Sequence, residues 1–330
     1  MIKNGIITIA AVVALAMAAT QNTRAAEEAA KTTEKLDVQI SKSGMKYFGD
    51  SDTIIIPTVY LKLAVAGKVS ATKQGGMFGG NNTVKAKAQY AVAGLDKKLA
   101  QQLAQKVQDD LVAQLKAAGY NVKTYADIKD LDAVKNAKRE SGDKDWGMPL
   151  DKEIGGSAIN IVAAPSDEQV FKQGLAWGVF NQFITRTKST LGEGSILIPT
   201  YVVAAPQVWA ETGRGYKTIS AGVNVADGMN LTMARADLIT AKAAGGTVMT
   251  KTQVINIGEK VGVVSDKDTT DDVGNAVSGA LAALTGTGKI SSKSGFYQMT
   301  IDPAAYEAGV MRGIAAFNAQ VVKAASEAKK

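Results

Sequence analysis

The chain has 330 residues, 46% hydrophobic and 21% charged, which suits one large or two small globular domains with a sizeable core. It contains no histidine and no cysteine, which removes the usual general base, the usual zinc ligand, Ser-His and Cys-His centres, thiol catalysis and iron–sulfur ligation. The net charge of +7 is local in origin: residues 62–106 hold Lys62, Lys68, Lys73, Lys85, Lys87, Lys97, Lys98 and Lys106 against Asp96 alone.

Residues 1–25 read as a cleaved signal peptide. Lys3 supplies the positive end, residues 5–19 the apolar core, and Thr23-Arg24-Ala25 a small-residue cleavage site, with Ala16-Met17-Ala18 as a second one. The apolar core is short for a membrane span, and no later stretch is long and apolar enough to form a transmembrane helix. With no cysteine there is no thiol for a lipid anchor. The mature chain is therefore expected to be soluble in the periplasm or secreted, with a net charge of +5 once Lys3 and Arg24 are removed from +7.

Residues 26–51 are polar and weakly patterned, a flexible leader with room for one short strand. From residue 52 onward a single domain is expected. After Ile54-Ile55-Ile56-Pro57, residues Val59, Leu61, Leu63, Val65 and Val69 alternate with Tyr60, Lys62 and Lys68, the mark of a strand with one wet face. Residues 83–92 repeat the pattern, with Val84, Ala86, Ala88, Tyr90 and Val92 opposed by Lys85, Lys87 and Gln89. The glycine-rich residues 75–82 between them suit a hairpin tip that carries Met77 and Phe78.

Leu95, Leu99, Leu103, Val107, Leu111 and Leu115 then recur every fourth residue, widened by Ala100, Ala104 and Val112, and Gly119 follows as a left-handed cap. This is the clearest helix in the chain. A strand is expected over 120–125, a short helix and loop over 127–151, and a small strand over 158–164. Ser166 should cap a helix reaching about Lys188. Residues 195–203 form the next strand, and 216–225, 229–239 and 247–257 read as a meander with a hairpin turn at Asp227-Gly228. Residues 262–272 read as loop, 273–284 as a small-residue helix and 286–295 as a link. Asp302-Pro303 opens a terminal helix whose apolar positions are Tyr306, Val310, Ile314, Phe317 and Val321. Ile54-Ile55-Ile56-Pro57-Thr58 is echoed by Ile196-Leu197-Ile198-Pro199-Thr200, either by duplication or as strand exits chosen independently.

Catalytic motifs are incomplete. Ser70-Ala71-Thr72-Lys73 fits S-x-x-K, but the serine belongs to a strand and the companion K-T-G is missing. Gly286-Thr287-Gly288-Lys289 resembles part of a phosphate loop, with Ile290 where a Ser or Thr is needed. The acid groups Asp109-Asp110, Asp143/Asp145 and Asp266 to Asp272 lack dyad or EF-hand spacing. No catalytic, cofactor or metal residue is assigned.

The order of elements resembles the TolB N-terminal/CsgG-like fold. In that family a strand leads into a helix ending L…L…G-[YF]-x-V, matched here by Leu111, Leu115, Gly119, Tyr120 and Val122. Asp237-Leu238-Ile239-Thr240 followed by Gly246-Thr247-Val248 is similar to its later hairpin, with a longer turn, and the helix from Ala304 also has a counterpart. The resemblance implies an α/β fold, a mixed sheet flanked by helices with antiparallel hairpins and a C-terminal helix. It also implies a non-catalytic envelope accessory or assembly protein.

The expected partner is an envelope protein, an anionic envelope polymer or a second copy of the chain, rather than nucleic acid. Sheet edges and the residues Lys62, Lys68, Lys73, Met77, Phe78, Lys85 and Lys87 are the candidate binding surface, with the lysines of the two strands expected on one face. The alternative is a carboxylate- or serine-dependent enzyme acting on an envelope glycan. N-terminal sequencing of the protein from envelope extracts should return a chain starting near Ala26 without detergent. Recovery of Met1 from a membrane fraction would overturn this address.

Overall fold

In the computed structural model the described residues are 36–49, 51–74, 83–153, 157–172, 194–214, 219–240, 245–251, 254–258, 260–266 and 295–329. Their architecture is α/β. A mixed sheet of thirteen strands runs in the order β1 (Ile40–Ser43), β12 (Gly245–Thr250), β11 (Asn230–Ile239), β8 (Ser195–Ala204), β3 (Tyr60–Gln74), β4 (Thr83–Ala93), β15 (Gly295–Ile301) and β14 (Gly262–Asp266). Side branches are β2 (Thr53–Ile56) with β5 (Asn121–Thr124), β7 (Ala158–Ala163) with β6 (Leu150–Lys152), and β13 (Ile255–Asn256) on β11. A separate ribbon pairs β9 (Gln207–Arg214) with β10 (Ile219–Ala226).

Strand β3 is the hub. Leu61, Lys62 and Leu63 lie between β7 and β8, and from Ala66 onward β3 pairs with β4. Ala66 and Gly67 are paired with both β4 and β7, so those two strands flank β3 on opposite sides. The echoed segments are neighbours: β2 and β8 run parallel, with Ile55 opposite Ile196. Pro199 cannot donate to a ladder, and it lies where the partner strand is interrupted, between the β2 and β3 pairings of β8.

Helix α1 (Lys97–Ala117) forms where the leucine stripe placed it. The Asp96 carboxylate accepts from the Leu99 N–H at 2.7 Å. At the other end Gly119 adopts φ +83°, and the Gly119 and Tyr120 N–H groups bond to the carbonyls of Lys116 and Leu115, a Schellman closure. The expected stripe is buried apart from half-exposed Leu99 and Val112. Helix α4 (Pro303–Ala328) is capped by Asp302, which accepts from Ala304 and Ala305, and buries Tyr306, Val310, Ile314, Phe317 and Val321 as the pattern required. A Cβ at Gly313 would lie 2.7 Å from Ile257 Cδ1, so a larger residue there would require the Ile257 side chain to move.

The two helices pack together over one side of the sheet and share a polar chain. Tyr201 donates to Asn318 Oδ1 at 2.6 Å, Asn318 Nδ2 to Asp110 at 2.8 Å, and Gln114 to the same carboxylate at 2.9 Å. A second core cluster joins Ile55, Tyr60, Val162, Ile196 and Ile198 to Ile128, Val134 and Phe171. It is roofed by two single-turn helices, α2 (Tyr125–Ile128) and α3 (Asp132–Lys135).

Several expectations are corrected. The helix from Ser166 is only a 3-10 turn at Asp167–Gln169, because the next main-chain groups pair with residues 138–140 instead. Its remaining course to Lys188 lies outside the described residues, as do the expected helix over 273–284 and the Met77-Phe78 tip. Asp227-Gly228 does not join β10 to β11 as a hairpin. Gly228 lacks the positive φ that a type I′ turn needs, and the two carbonyls accept from Val261 and Gln207. β10 pairs with β9, a strand hidden by its weak Ala-Glu-Thr-Gly pattern. The expected loop at 262–272 begins as β14, and β15 runs parallel to β4. The expected strand over 247–257 is two, β12 and β13. β1 is the short strand expected in the leader, and buried Val38 and Phe48 make residues 38–49 part of the packing. Among the described residues, no helix is long and apolar enough to cross a membrane.

Burial pushes the Tyr120 hydroxyl up to about 12, with Asp52 adding to the effect. Burial raises Tyr90, Tyr201 and Tyr306 further, seconded by Glu153, Asp110 and Tyr90 respectively. These raised values stabilise the fold fully below the unfolded tyrosine value near 10. The contribution is lost as pH rises toward and past the folded values, because the unfolded chain then releases protons that the native chain keeps. Urea unfolding should therefore show stability falling above pH 10, by up to about 1.4 kcal/mol per pH unit for each buried tyrosine. Tyr201→Phe should reduce that slope. A flat profile from pH 8 to 11 would contradict the burial described.

Candidate functional site

The basic residues singled out by sequence fall into three environments. In the hairpin, residues directly opposite each other share a face. Lys68 faces Gln89, Ser70 faces Lys87, Thr72 faces Lys85, and Gln74 faces Thr83. Lys68, Ser70, Thr72, Gln74, Thr83, Lys85 and Lys87 are all exposed, so they make one wet face with three lysines interleaved with hydroxyls and an amide. Lys85 and Lys87 stand about 7 Å apart along their strand.

Lys73 is on the other face, opposite Val84, half-buried like Val69 and Ala86 and beside buried Ala71 and Ala88. The β9–β10 ribbon approaches both β3 and β4, with Cα atoms within 8 Å, so it lies across a face rather than along an edge. The lysine face is exposed, so the covered face is the one where Ala71 and Ala88 are buried. Ala and Gly throughout these strands allow that close approach. Ser70 and Lys73 therefore point to opposite sides of the sheet, and this lysine cannot activate that serine.

Lys62 does not join the wet face. Between Ala64 and Ala66 the register against β7 shifts, leaving Val65 as an extra residue. Such a bulge interrupts the two-residue alternation, so Lys62 and Lys68 do not share a side. Lys62 instead bonds Asp151 at 2.8 Å with its side chain only 15% exposed. Two more lysines of the same run have acids brought to them from afar, Lys97 by Asp167 and Lys106 by Glu307. The local excess of positive charge is thus partly neutralised in space. Met77 and Phe78 lie outside the described residues.

Among the described residues the acids flagged by sequence do not converge, and Asp268, Asp271 and Asp272 lie outside them. Asp109 accepts from Gln105, Asp110 belongs to the Asn318 chain, Asp143 caps its own loop, and Asp266 ends β14. Among the described residues no group of three or more acids gathers as a metal site would need. Two other carboxylates do share a cleft. Its floor is Tyr60 and Val162, one wall is Pro149, Leu150 and Asp151, and the other is Glu140, Val170 and Phe171. The second wall is a short ladder in which Glu140 donates its N–H to the Val170 carbonyl and Lys172 to that of Lys138. The Tyr60 hydroxyl donates to the Phe171 carbonyl at 3.1 Å, and Arg139 stacks on the Phe171 ring at 4.5 Å. Sequence gave no sign of this cleft, since its parts come from five separated segments.

No family model, curated protein or solved structure matches the chain.

The different settings of the lysines can be separated by stability. Lys62→Gln leaves Asp151 without its partner at a partly buried position and should cost about 1–2 kcal/mol in urea unfolding. Lys85→Gln or Lys87→Gln should stay within about 0.5 kcal/mol of the parent. Equal effects at all three sites would contradict this division.

Proposed function

We propose that the chain is a non-catalytic accessory or assembly protein of the cell envelope, TolB N-terminal/CsgG-like in fold, exported by its N-terminal signal. It binds an anionic envelope partner through the wet face of the β3–β4 hairpin, with the sheet edges as a second docking element. The observation that carries this reading is the shared exposed face of Lys68, Lys85 and Lys87, set among Ser70, Thr72, Gln74 and Thr83. A flat field of ammonium and hydroxyl groups suits carboxylate or phosphate groups repeated along a polymer or protein surface. A binding role is favoured over the glycan-hydrolase alternative because the flagged acids among the described residues lie apart, Asp109 and Asp110 on α1, Asp143 in its loop and Asp266 at the end of β14. The fold likeness rests on the order of elements: β4, α1 and β5 with its Gly119-Tyr120-Asn121-Val122 exit, and the terminal α4.

Exposed charges of this kind act through long-range attraction, screened over about 8 Å at physiological salt. Capture of an envelope partner by the mature protein should weaken as salt rises. It should also fall by about tenfold or more in the variant Lys68→Gln, Lys85→Gln, Lys87→Gln, with unchanged melting temperature. Capture indifferent to both salt and the triple variant would reject the hairpin face and direct attention to the sheet edges.

A further inference from the structure

The cleft between β6 and the 138–140/170–172 ladder has no part in the hairpin reading and stands independently of it. Its volume is about 260 Å³, just below the roughly 300 Å³ at which pockets for drug-sized ligands begin, so it suits a small molecule or one side chain. The walls contribute one carboxylate each, Asp151 from β6 and Glu140 from the facing ladder, and no described lining residue is basic. The floor between them is apolar and aromatic.

A second, independent feature lies on the same face. Register places Ala64, Asn160 and Asp151 in one line across β3, β7 and β6, and Lys62 opposite Val162 one step along. The Lys62–Asp151 pair therefore spans β7 above Asn160. Asn160 is 1% exposed, yet neither its amide nitrogen nor its amide oxygen has a hydrogen-bond partner. A buried amide with both groups unpaired is rare in folded proteins and marks a place where polar partners remain to be supplied. It sits beside Asp151 and one ladder step from Val162 of the floor.

We propose that this cleft binds an alkylammonium group. The ammonium is held between Glu140 and Asp151, with Asn160 Oδ1 as a further acceptor once the Lys62–Asp151 pair gives way. The methylene stem lies along half-exposed Pro149 and Leu150, beside Val162. The ammonium has three donors and no acceptor, which matches carboxylates and an amide oxygen. A divalent cation is disfavoured because two carboxylates on opposite walls leave most of its six or more oxygen positions unfilled. A free amine and a lysine side chain present the same chemistry.

The test is isothermal titration of the full mature chain at low salt and pH 7 with pentylamine, Nα-acetyl-lysine amide, pentanol, pentanoate and calcium. Pentylamine should saturate at a Kd of order 1 mM, which corresponds to a modest free energy for so small a ligand. Pentanol and pentanoate should not saturate. Glu140→Gln, at an exposed position, should weaken pentylamine by about tenfold through loss of a charge-assisted bond. Lys62→Met should strengthen it severalfold, because Asp151 is then released, and a purely structural role for Lys62 would not produce a gain. Binding of acetyl-lysine amide comparable to pentylamine points to a protein side chain as the natural source, and binding of pentylamine alone to a free amine. The proposal is overturned if pentylamine does not saturate, if pentanol binds as well, if calcium alone gives the heat, or if Glu140→Gln binds as the parent does.

Discussion

Opposite Ile159 and Asn160 of β7, strand β3 carries one residue more than its partner, and the alternation of its side chains is interrupted there. On one side of that point β3 is a core strand between β7 and β8, with Leu61 and Leu63 wholly buried. On the other it is half of a hairpin with a lysine-bearing wet face. The extra residue lets one fifteen-residue strand serve both environments. A regular strand would place Lys62 in line with Lys68 and bring a charge into the packed half or an apolar row into solvent.

Charge is sorted by the same arrangement. Read along the chain, the eight lysines of residues 62–106 look like one basic block. In space Asp151, Asp167 and Glu307 return to three of them, and the bulge and ribbon take Lys62 and Lys73 off the exposed face. Lys98 stays exposed on α1, and the field left on the hairpin face, Lys68, Lys85 and Lys87, is narrower than the sequence suggests and better defined. The carboxylates of the cleft arise by the complementary route, from residues with no common sequence signature. Glu140 lies in a charged loop and Asp151 in a three-residue strand, and only the antiparallel approach of residues 138–140 and 170–172 sets them across from each other.

The parts of the fold legible in sequence were those with a strong local period and a cap. The stripe from Leu95 to Leu115 with Asp96 and Gly119 fixed α1, Asp302-Pro303 with its apolar positions fixed α4, and the alternation around Lys85 and Lys87 fixed the hairpin. What failed was non-local. β9 and β15 are recognised by their partners rather than by their own weak patterns, and β15 pairs in parallel with a strand two hundred residues earlier. The expected helix at Ser166 had a favourable first turn, but tertiary hydrogen bonds from residues 138–140 outweighed that local preference. Asn160 illustrates the limit most sharply, since nothing in Ala158-Ile159-Asn160-Ile161 tells that its amide is buried without a partner.

The central claim is that β3 is one strand in two settings, a core half and a half with an exposed lysine-bearing face, divided at Val65. Native-state hydrogen exchange resolved by residue tests it most directly. Amides of Leu61, Leu63 and Ala64 should exchange only through global unfolding, and those of residues 69–74 and 83–87 through local opening of much lower free energy. Uniform protection along the whole of β3, or earlier opening on the Leu61 side, would contradict the account.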